Sequence, residues 1–462
     1  MPATPESATT ELAEFITRAN VATLPAHVVQ RIKLHILDTL GCAIAFAELP
    51  WSQQVYRYVA GQGSSEDATI AFYGTKASPA LAAFANASLA HGFELDDTDL
   101  QTASHPGVVV VPAALAVGER RHSSGAEFLA AVIAGYETMI RVGLGSVGMT
   151  LRGFHSTAAL GPFGAAAAVA SLEGLDVATT AHALGISASL ASGIAEYTIW
   201  GGSVKRLHAG FPSQSGVEAA GLAAAGVTAP RAALEGTRGM LKAFTDTPDP
   251  EAVTRGLGDE FRLLGTGFKP YSCCAAQHSV LDAVGDLHLA HGFAPEDVVE
   301  IHVRQNPREF DSVGTIRRPA DVISSQFSAA FGIALRLTNG SNLPQDYLEA
   351  DRTDPRLLSI VDKVVYERSE ADGAIEGDSP CEVRLTLTDG RVFDVYVPFA
   401  RGTAQSPLDA QAITEKFRGL VTGIIGEEGA NRIIDLVTRL EELEDVTELA
   451  GALRARVLDP AL

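Results

Sequence analysis

CEVRLTLTDGRVFDVYVPF, Cys381 to Phe399, is the stretch that decides the architecture. Apolar and polar residues alternate along it on both sides of Asp389-Gly390, the pattern of two strands joined by a tight hairpin turn. Working outward, DVVEIHVRQ (297 to 305) alternates in the same way and KVVYERS (363 to 369) repeats it, while residues 278 to 291 read as a helix. A small α+β domain is therefore expected over 267–400.

Upstream of Phe268 the period is different. Val28, Ile32, Ile36 and Leu40 stand four apart, and so do Phe128, Val132, Tyr136 and Ile140, as on amphipathic helices. Ala-rich runs at 78–91, 109–120, 157–172 and 213–225 also read as helices, and their small residues allow close approach. After Pro407 the helical period returns through Ile413, Phe417, Leu420 and Val421, so RGTAQSP (401–407) is the expected second crossing between domains. The expected fold is mainly α: a large all-helical domain (1–266 and 401–462) with a smaller α+β lid domain (267–400). Two crossings leave a cleft, a usual place for a small-molecule site.

Bulk properties narrow the function. A net charge of -21 argues against a nucleic-acid backbone or an anionic membrane surface as partner. Cys42, Cys273, Cys274 and Cys381 show no CxxC spacing, which disfavours a disulfide framework or structural zinc. The start, MPATPESATTELAEF, has neither a basic region nor an apolar core, so the cytoplasm is the default expectation. Two uncharged stretches, Gly153 to Leu172 and Val177 to Ala195, are long enough for membrane spans but are built of Ala, Gly, Ser and Thr; tightly packed buried helices are expected. GLGSVG (Gly143 to Gly148) matches a dinucleotide fingerprint in letters only, because it follows a helix, and it reads as a glycine-rich helix end.

HGFELDDTDLQTASHPG, His91 to Gly107, crowds four carboxylates and two histidines into 17 residues without Lys or Arg. Such a cluster is solvated, ligates a metal, or handles protons. Against a metal, the acids lack the EF-hand pattern and two lysines elsewhere would compete with a cation, so proton handling is carried forward and no metal is expected. Those lysines lie in other polar clusters set in apolar surroundings: RGFHSTAALG around His155, GGSVKRLHAG around Lys205 and His208, FKPYSCCAAQH around Lys269, Cys274 and His278, and SSQFSAAF before Phe331. A buried Lys is costly unless it meets an anion, and two aimed at one cleft suit a substrate with at least two carboxylates. His91 and His208 also have a purely structural reading.

ELDDTDLQTASHPG, GYE, GFHSTAALGPFGAAAA, SVKRLHAGFPSQSGVEAA, FKPYSCCAAQH and ARGTAQSPL together resemble the MmgE/PrpD family, in order and spacing, over nearly the whole chain. Its members include 2-methylcitrate dehydratase, cis-aconitate decarboxylase and iminodisuccinate epimerase. The resemblance implies a two-domain homodimer that acts on a small anionic carboxylate and needs no metal or organic cofactor. It also implies His105, His155, Lys205, Lys269, Asp97 and Thr98 as catalytic residues, with Glu94, Tyr271, Cys274, His278 and Phe331 against the substrate. Glu94 stands where the decarboxylase pattern has Asp, Cys274 where it has His, and Phe331 where it has Tyr.

In these reactions negative charge develops on carboxylate oxygens, so Lys205 and Lys269 are expected to stabilise it and His105 and His155 to act as the acid/base pair, in either order. Cys274 is either a proton donor or an inert thiol. The leading expectation is a hydro-lyase that dehydrates a 2-methylcitrate-like hydroxy acid. Decarboxylation of a cis-aconitate-like acid and epimerisation of a dicarboxylate are alternatives, and a catalytically silent anion-binding dimer is the alternative of another class.

Overall fold

The computed structural model describes residues 7–63, 65–370 and 374–455. Helices dominate up to residue 265, where the only strands among the described residues are the two-residue pair Ala68–Thr69 and Lys76–Ala77. The helix Ala26–Ala45 buries Val28, Ile32, Ile36 and Leu40, as their spacing predicts, and also Lys33, His35 and Asp38. Gly125–Gly145 begins at a reciprocal cap: the Ser124 hydroxyl accepts from the Glu127 N–H, and the Glu127 carboxylate accepts from the Ser124 N–H at 2.8 Å. It is long and apolar enough to cross a membrane, yet 94% of its apolar window is buried inside the protein.

Small residues let this layer close. A Cβ at Gly164, in the helix Ser156–Glu173, would lie 2.8 Å from the Met139 Cβ, so a larger residue there would force the two helices apart. GLGSVG is the end of Gly125–Gly145 and the turn after it. Two helix boundaries differ from expectation. Val177–Leu190 stops before the uncharged stretch does, because the chain turns extended at Ala191, at φ -60 and ψ 119. Val204–Ala224 begins nine residues ahead of the Ala-rich run at 213, and so carries Lys205, Arg206 and His208 in its first two turns.

The alternating segments form one four-stranded sheet in the order Val364–Arg368, Val298–Gln305, Cys381–Leu387, Val392–Val397. The first pair is parallel and the other two antiparallel, with Val303 opposite Val383 and Val383 opposite Val395. Ile301, Val303, Val383 and Leu385 are buried on the face covered by His278–His291, while Arg304 and Glu382 pair at 2.7 Å on the other. The long helix Ala410–Thr438, broken at Gly426, packs back on Ala26–Ala45. The segments expected as crossings are hydrogen-bonded to each other, the Phe268 N–H donating to the Gly402 carbonyl at 2.9 Å.

Candidate active site

The acidic stretch follows the helix Pro79–Ala90 as a buried loop. Glu94 adopts φ +54, a conformation that costs a non-glycine residue about 1–3 kcal/mol and persists only where the surroundings impose it. On one side the Phe93 carbonyl accepts from Ser272 Oγ at 2.6 Å and from Gln326 Nε2 at 3.2 Å. On the other, the Thr98 backbone exchanges two hydrogen bonds with Gly267, at 3.0 and 2.8 Å. Both small-domain contacts therefore shape the loop.

The kink sends successive acids in different directions. The Glu94 carboxylate meets three cations: Lys205, Arg206 Nη1 at 2.7 Å and Lys269 Nζ at 3.4 Å. Burial alone would raise its pKa, but Lys205, Lys269 and Arg206 hold it well below the usual carboxylate range. Burial also lowers Lys205 to about 8 against the pull of Glu94, with Arg206 and Lys269 adding repulsion. Lys269 is likewise penalised by burial, yet Glu94 and Asp96 hold it above its ordinary value. The Lys205 ammonium also lies 5.0 Å from the Phe327 ring centroid and 5.8 Å from that of Tyr197.

Asp96 faces imidazoles, at 2.9 Å from His91 Nδ1 and 3.1 Å from His105 Nδ1. His105 Nδ1 is also 2.7 Å from the Asp97 carbonyl. Both neighbours are acceptors, so the neutral ring carries its proton on Nδ1 and leaves Nε2 as the basic nitrogen. His155 and His208 meet Nδ1 to Nδ1 at 2.9 Å, which requires one to donate and the other to accept. Burial and the nearby Lys205 lower His208 to about 4 and push His155 well below its ordinary value, so this pair is neutral at pH 7. The His105 and His155 ring centroids are 6.4 Å apart, and Tyr197 stands edge-on 5.3 Å from His155.

Lys205, Lys269, Glu94, His105 and His155 are thus brought together. Asp97 is not: its carboxylate turns into the helical layer, accepting from Tyr136 OH at 2.7 Å and the Gly107 N–H at 3.0 Å, with His35 Nδ1 2.9 Å away. It positions His105 through its backbone carbonyl, and the acid that faces the imidazoles is its neighbour Asp96. Thr98, Lys269 and His278 line a cavity of about 20 Å³ with Phe268 and Arg401, room for about one water. His278 Nε2 lies 3.3 Å from the Cys273 carbonyl, and burial and Lys269 lower it to about 3. Tyr271 gives its hydroxyl to Asp282 at 2.6 Å and so buttresses His278, whose ring it meets edge-on at 5.2 Å.

Cys274 donates its backbone N–H to the Gln326 carbonyl at 3.0 Å, and desolvation and Glu94 push its thiol up, against thiolate chemistry. Phe331 is a correction. It is fully buried in the apolar core of Ala329–Asn339, and the ring over Lys205 belongs to Phe327, four residues earlier. The helix starts only at Ala329, capped by Ser328, so Phe327 lies before it and is free to face the junction.

Asp96, Arg206, Tyr197, Gln326 and Phe327 were not singled out from sequence. Arg206 sits beside Lys205, Asp96 beside Asp97, and Gln326 and Phe327 lie within SSQFSAAF, so adjacency is the available signal; Tyr197 carries none. Among the described residues no three His, Cys, Asp or Glu side chains converge with the geometry of a metal site.

A helical body and a small α+β domain that close together over one carboxylate, three cations and a row of imidazoles define a particular class of two-domain protein. The chain belongs to the MmgE/PrpD family: residues 10–253 match the MmgE/PrpD N-terminal domain and residues 271–442 the MmgE/PrpD C-terminal domain. It is 29% identical to a cis-aconitate decarboxylase of Aspergillus terreus, over 98% of this chain and 97% of that protein. It is 30% identical to the cis-aconitate decarboxylase-like protein oryM of Aspergillus oryzae, over 96% and 97%, and 27% identical to the Homo sapiens cis-aconitate decarboxylase, over 97% and 95%.

Proposed function

We propose that the protein is a lyase that breaks a bond next to a carboxylate in a small di- or tricarboxylic acid. The carrying observation is the Glu94 carboxylate buried among Lys205, Arg206 and Lys269, on the same loop whose Asp96 faces His91 and His105. One carboxylate leaves cationic capacity unmatched, and a substrate carboxylate supplies what is missing. Glu94, Lys205, Arg206 and Lys269 are all buried, so on this reading the small domain moves away to let the acid in.

Decarboxylation of a cis-aconitate-like acid is the first form of the proposal, supported by the names of the relatives over nearly full length. The bond from the methylene carbon to its carboxylate breaks, releasing CO2, and that electron pair becomes the new double bond. The old double bond's pair moves onto the carbon beside a remaining carboxylate, whose oxygens Lys205 and Lys269 stabilise, and an imidazole delivers a proton to that carbon. Dehydration of a 2-methylcitrate-like acid is the second form, favoured by the free Nε2 of His105, a base placed opposite the His155–His208 pair. There His105 takes the carbon-bound proton and the Lys205 ammonium, whose pKa of about 8 keeps it charged at pH 7, protonates the departing hydroxyl, which leaves as water.

Incubation of the purified protein with each acid in D2O, followed by NMR, separates the two forms. CO2 loss with one deuterium incorporated supports the first, and an alkene with no carbon lost supports the second. Absence of turnover with both acids, alongside stabilisation in a thermal shift, would instead support a silent binder.

A cytoplasmic homodimer is part of the same proposal. Val204, Phe211 and Leu222 line one face of Val204–Ala224 at helical spacing and are 47%, 51% and 46% exposed, an apolar stripe that a second copy would cover. Sedimentation equilibrium at micromolar concentration tests it, and a monomer would reject it.

A further inference from the structure

The helix Ala410–Thr438 reaches the site through one side chain. Lys416 Nζ donates to the Leu95 carbonyl at 2.7 Å and stands 2.6 Å from Asp38 Oδ1 of Ala26–Ala45. Leu95 is the residue between Glu94 and Asp96, and it is itself buried. The reach depends on close packing: a Cβ at Gly41 would lie 2.8 Å from Phe417 Cδ2, so bulk at that position would push the neighbouring Lys416 away.

The loop needs such a hold. With Glu94 at φ +54, the direction of the Leu95 carbonyl sets how the chain turns between two acids that face different partners. Glu94 must meet the cations while Asp96 meets His91 and His105. A buried carbonyl left without a donor would turn to find one, and both acids would turn with it. We propose that Lys416 is a positioning residue for catalysis: braced on Asp38, it pins the Leu95 carbonyl and so aims Glu94 and Asp96 at their separate partners. The kinetic part of this inference rests on the lyase reading; the structural part does not.

Lys33 provides an internal control. It donates to the Thr438 carbonyl at 2.6 Å and pairs with Glu441, tying the same two helices together through partners outside the acidic loop. The cations that grip substrate lie on other elements, so losing Lys416 should spoil the alignment of Asp96 and His105 more than binding. Lys416→Met is expected to lower kcat about 10- to 100-fold with KM changed less than about threefold, a misplacement effect. Lys416→Arg is expected to restore most of the loss. Lys33→Met is expected to keep kcat while lowering Tm as much.

Hydrogen exchange supplies a readout independent of turnover. The N–H groups of Thr98 and Gly107, bonded to the Gly267 carbonyl and to Asp97, should exchange faster in Lys416→Met and not in Lys33→Met. Lys416→Gln, which keeps a donor without a charge, serves if the methionine variant does not fold, and the same two outcomes apply to it. Wild-type kcat retained within about twofold, equal loss in Lys33→Met, or unchanged exchange at these amides would each overturn the proposal. If the wild type turns over no acid, the lyase reading falls and the exchange comparison alone decides the role of Lys416.

Discussion

Lys205 offers the sharpest test of the electrostatic reading, because burial places its pKa at about 8 in the free protein instead of 10.5. That shift means the free site disfavours the ammonium by on the order of 3 kcal/mol, a cost that an arriving substrate carboxylate relieves. The linkage has a definite sign. Between about pH 8 and 10.5 the unfolded chain holds a proton at Lys205 that the folded free protein lacks, so this group makes folding more favourable as pH rises through that window. Substrate binding does the reverse: it calls the proton back, so affinity weakens as pH climbs.

The profile of kcat/KM against pH, which reports groups of the free enzyme, should be level near pH 7 and fall once pH passes about 8. The charged fraction of Lys205 drops about tenfold per pH unit beyond that point, so kcat/KM at pH 9.5 should be about 30-fold below its plateau. Under saturating substrate, kcat should hold to higher pH, because the bound carboxylate keeps Lys205 protonated. Lys205→Arg keeps the charge at all these pH values and should remove the alkaline limb, although its wider guanidinium lowers the plateau. A level wild-type profile to pH 9.5, or an identical limb in Lys205→Arg, would refute the assignment.

Glu94→Gln leaves buried Lys205 and Arg206 without their carboxylate and Lys269 with Asp96 alone, and should cost about 3–5 kcal/mol in chemical denaturation at pH 7. Because the folded pKa of Glu94 is depressed, the difference from wild type should narrow as pH falls below its ordinary value of 4.5; a pH-independent difference would contradict the ion-pair account. His105→Asn removes the free Nε2 and should lower kcat at least about 100-fold with the circular dichroism spectrum unchanged. Turnover should survive prolonged dialysis against EDTA; complete loss restored by a divalent cation would show that a metal takes part.

Much of the fold was legible because it rests on local periodicity. The four-residue spacing from Val28 to Leu40 became a buried helix face, and the alternation around Asp389-Gly390 became the hairpin of the sheet. The residue types of the site were legible for a different reason: charge and imidazole in apolar surroundings are rare enough to stand out. What sequence did not give was direction. The left-handed conformation of Glu94 turns one acid to the cations and leaves Asp96, not Asp97, facing the imidazoles, and no periodic pattern encodes a single irregular residue. The same holds for Phe327 against Phe331, where one residue of helix start decides which ring meets Lys205. Lys416 lies 321 residues from Leu95, a separation at which sequence carries no geometric signal.

A chain with a net charge of -21 must still capture a polyanion, and the two facts act over different distances. Repulsion from the surface carboxylates acts through water and is screened beyond a Debye length of about 8 Å at physiological salt, rising to about 30 Å at 0.01 M. Attraction from Lys205, Arg206 and Lys269 is confined to a site where these side chains are at most 3% exposed, so added salt weakens it far less. Capture should therefore improve, not worsen, as sodium chloride rises from about 10 mM toward about 150 mM, with kcat/KM increasing until chloride begins to compete for the cations. A monotonic fall over that range would mean that a positive potential extends outside the closed site and steers the acid from a distance. The buried cluster alone would then be insufficient to explain recognition, and exposed basic residues at the mouth, Arg401 first, would have to be counted with it.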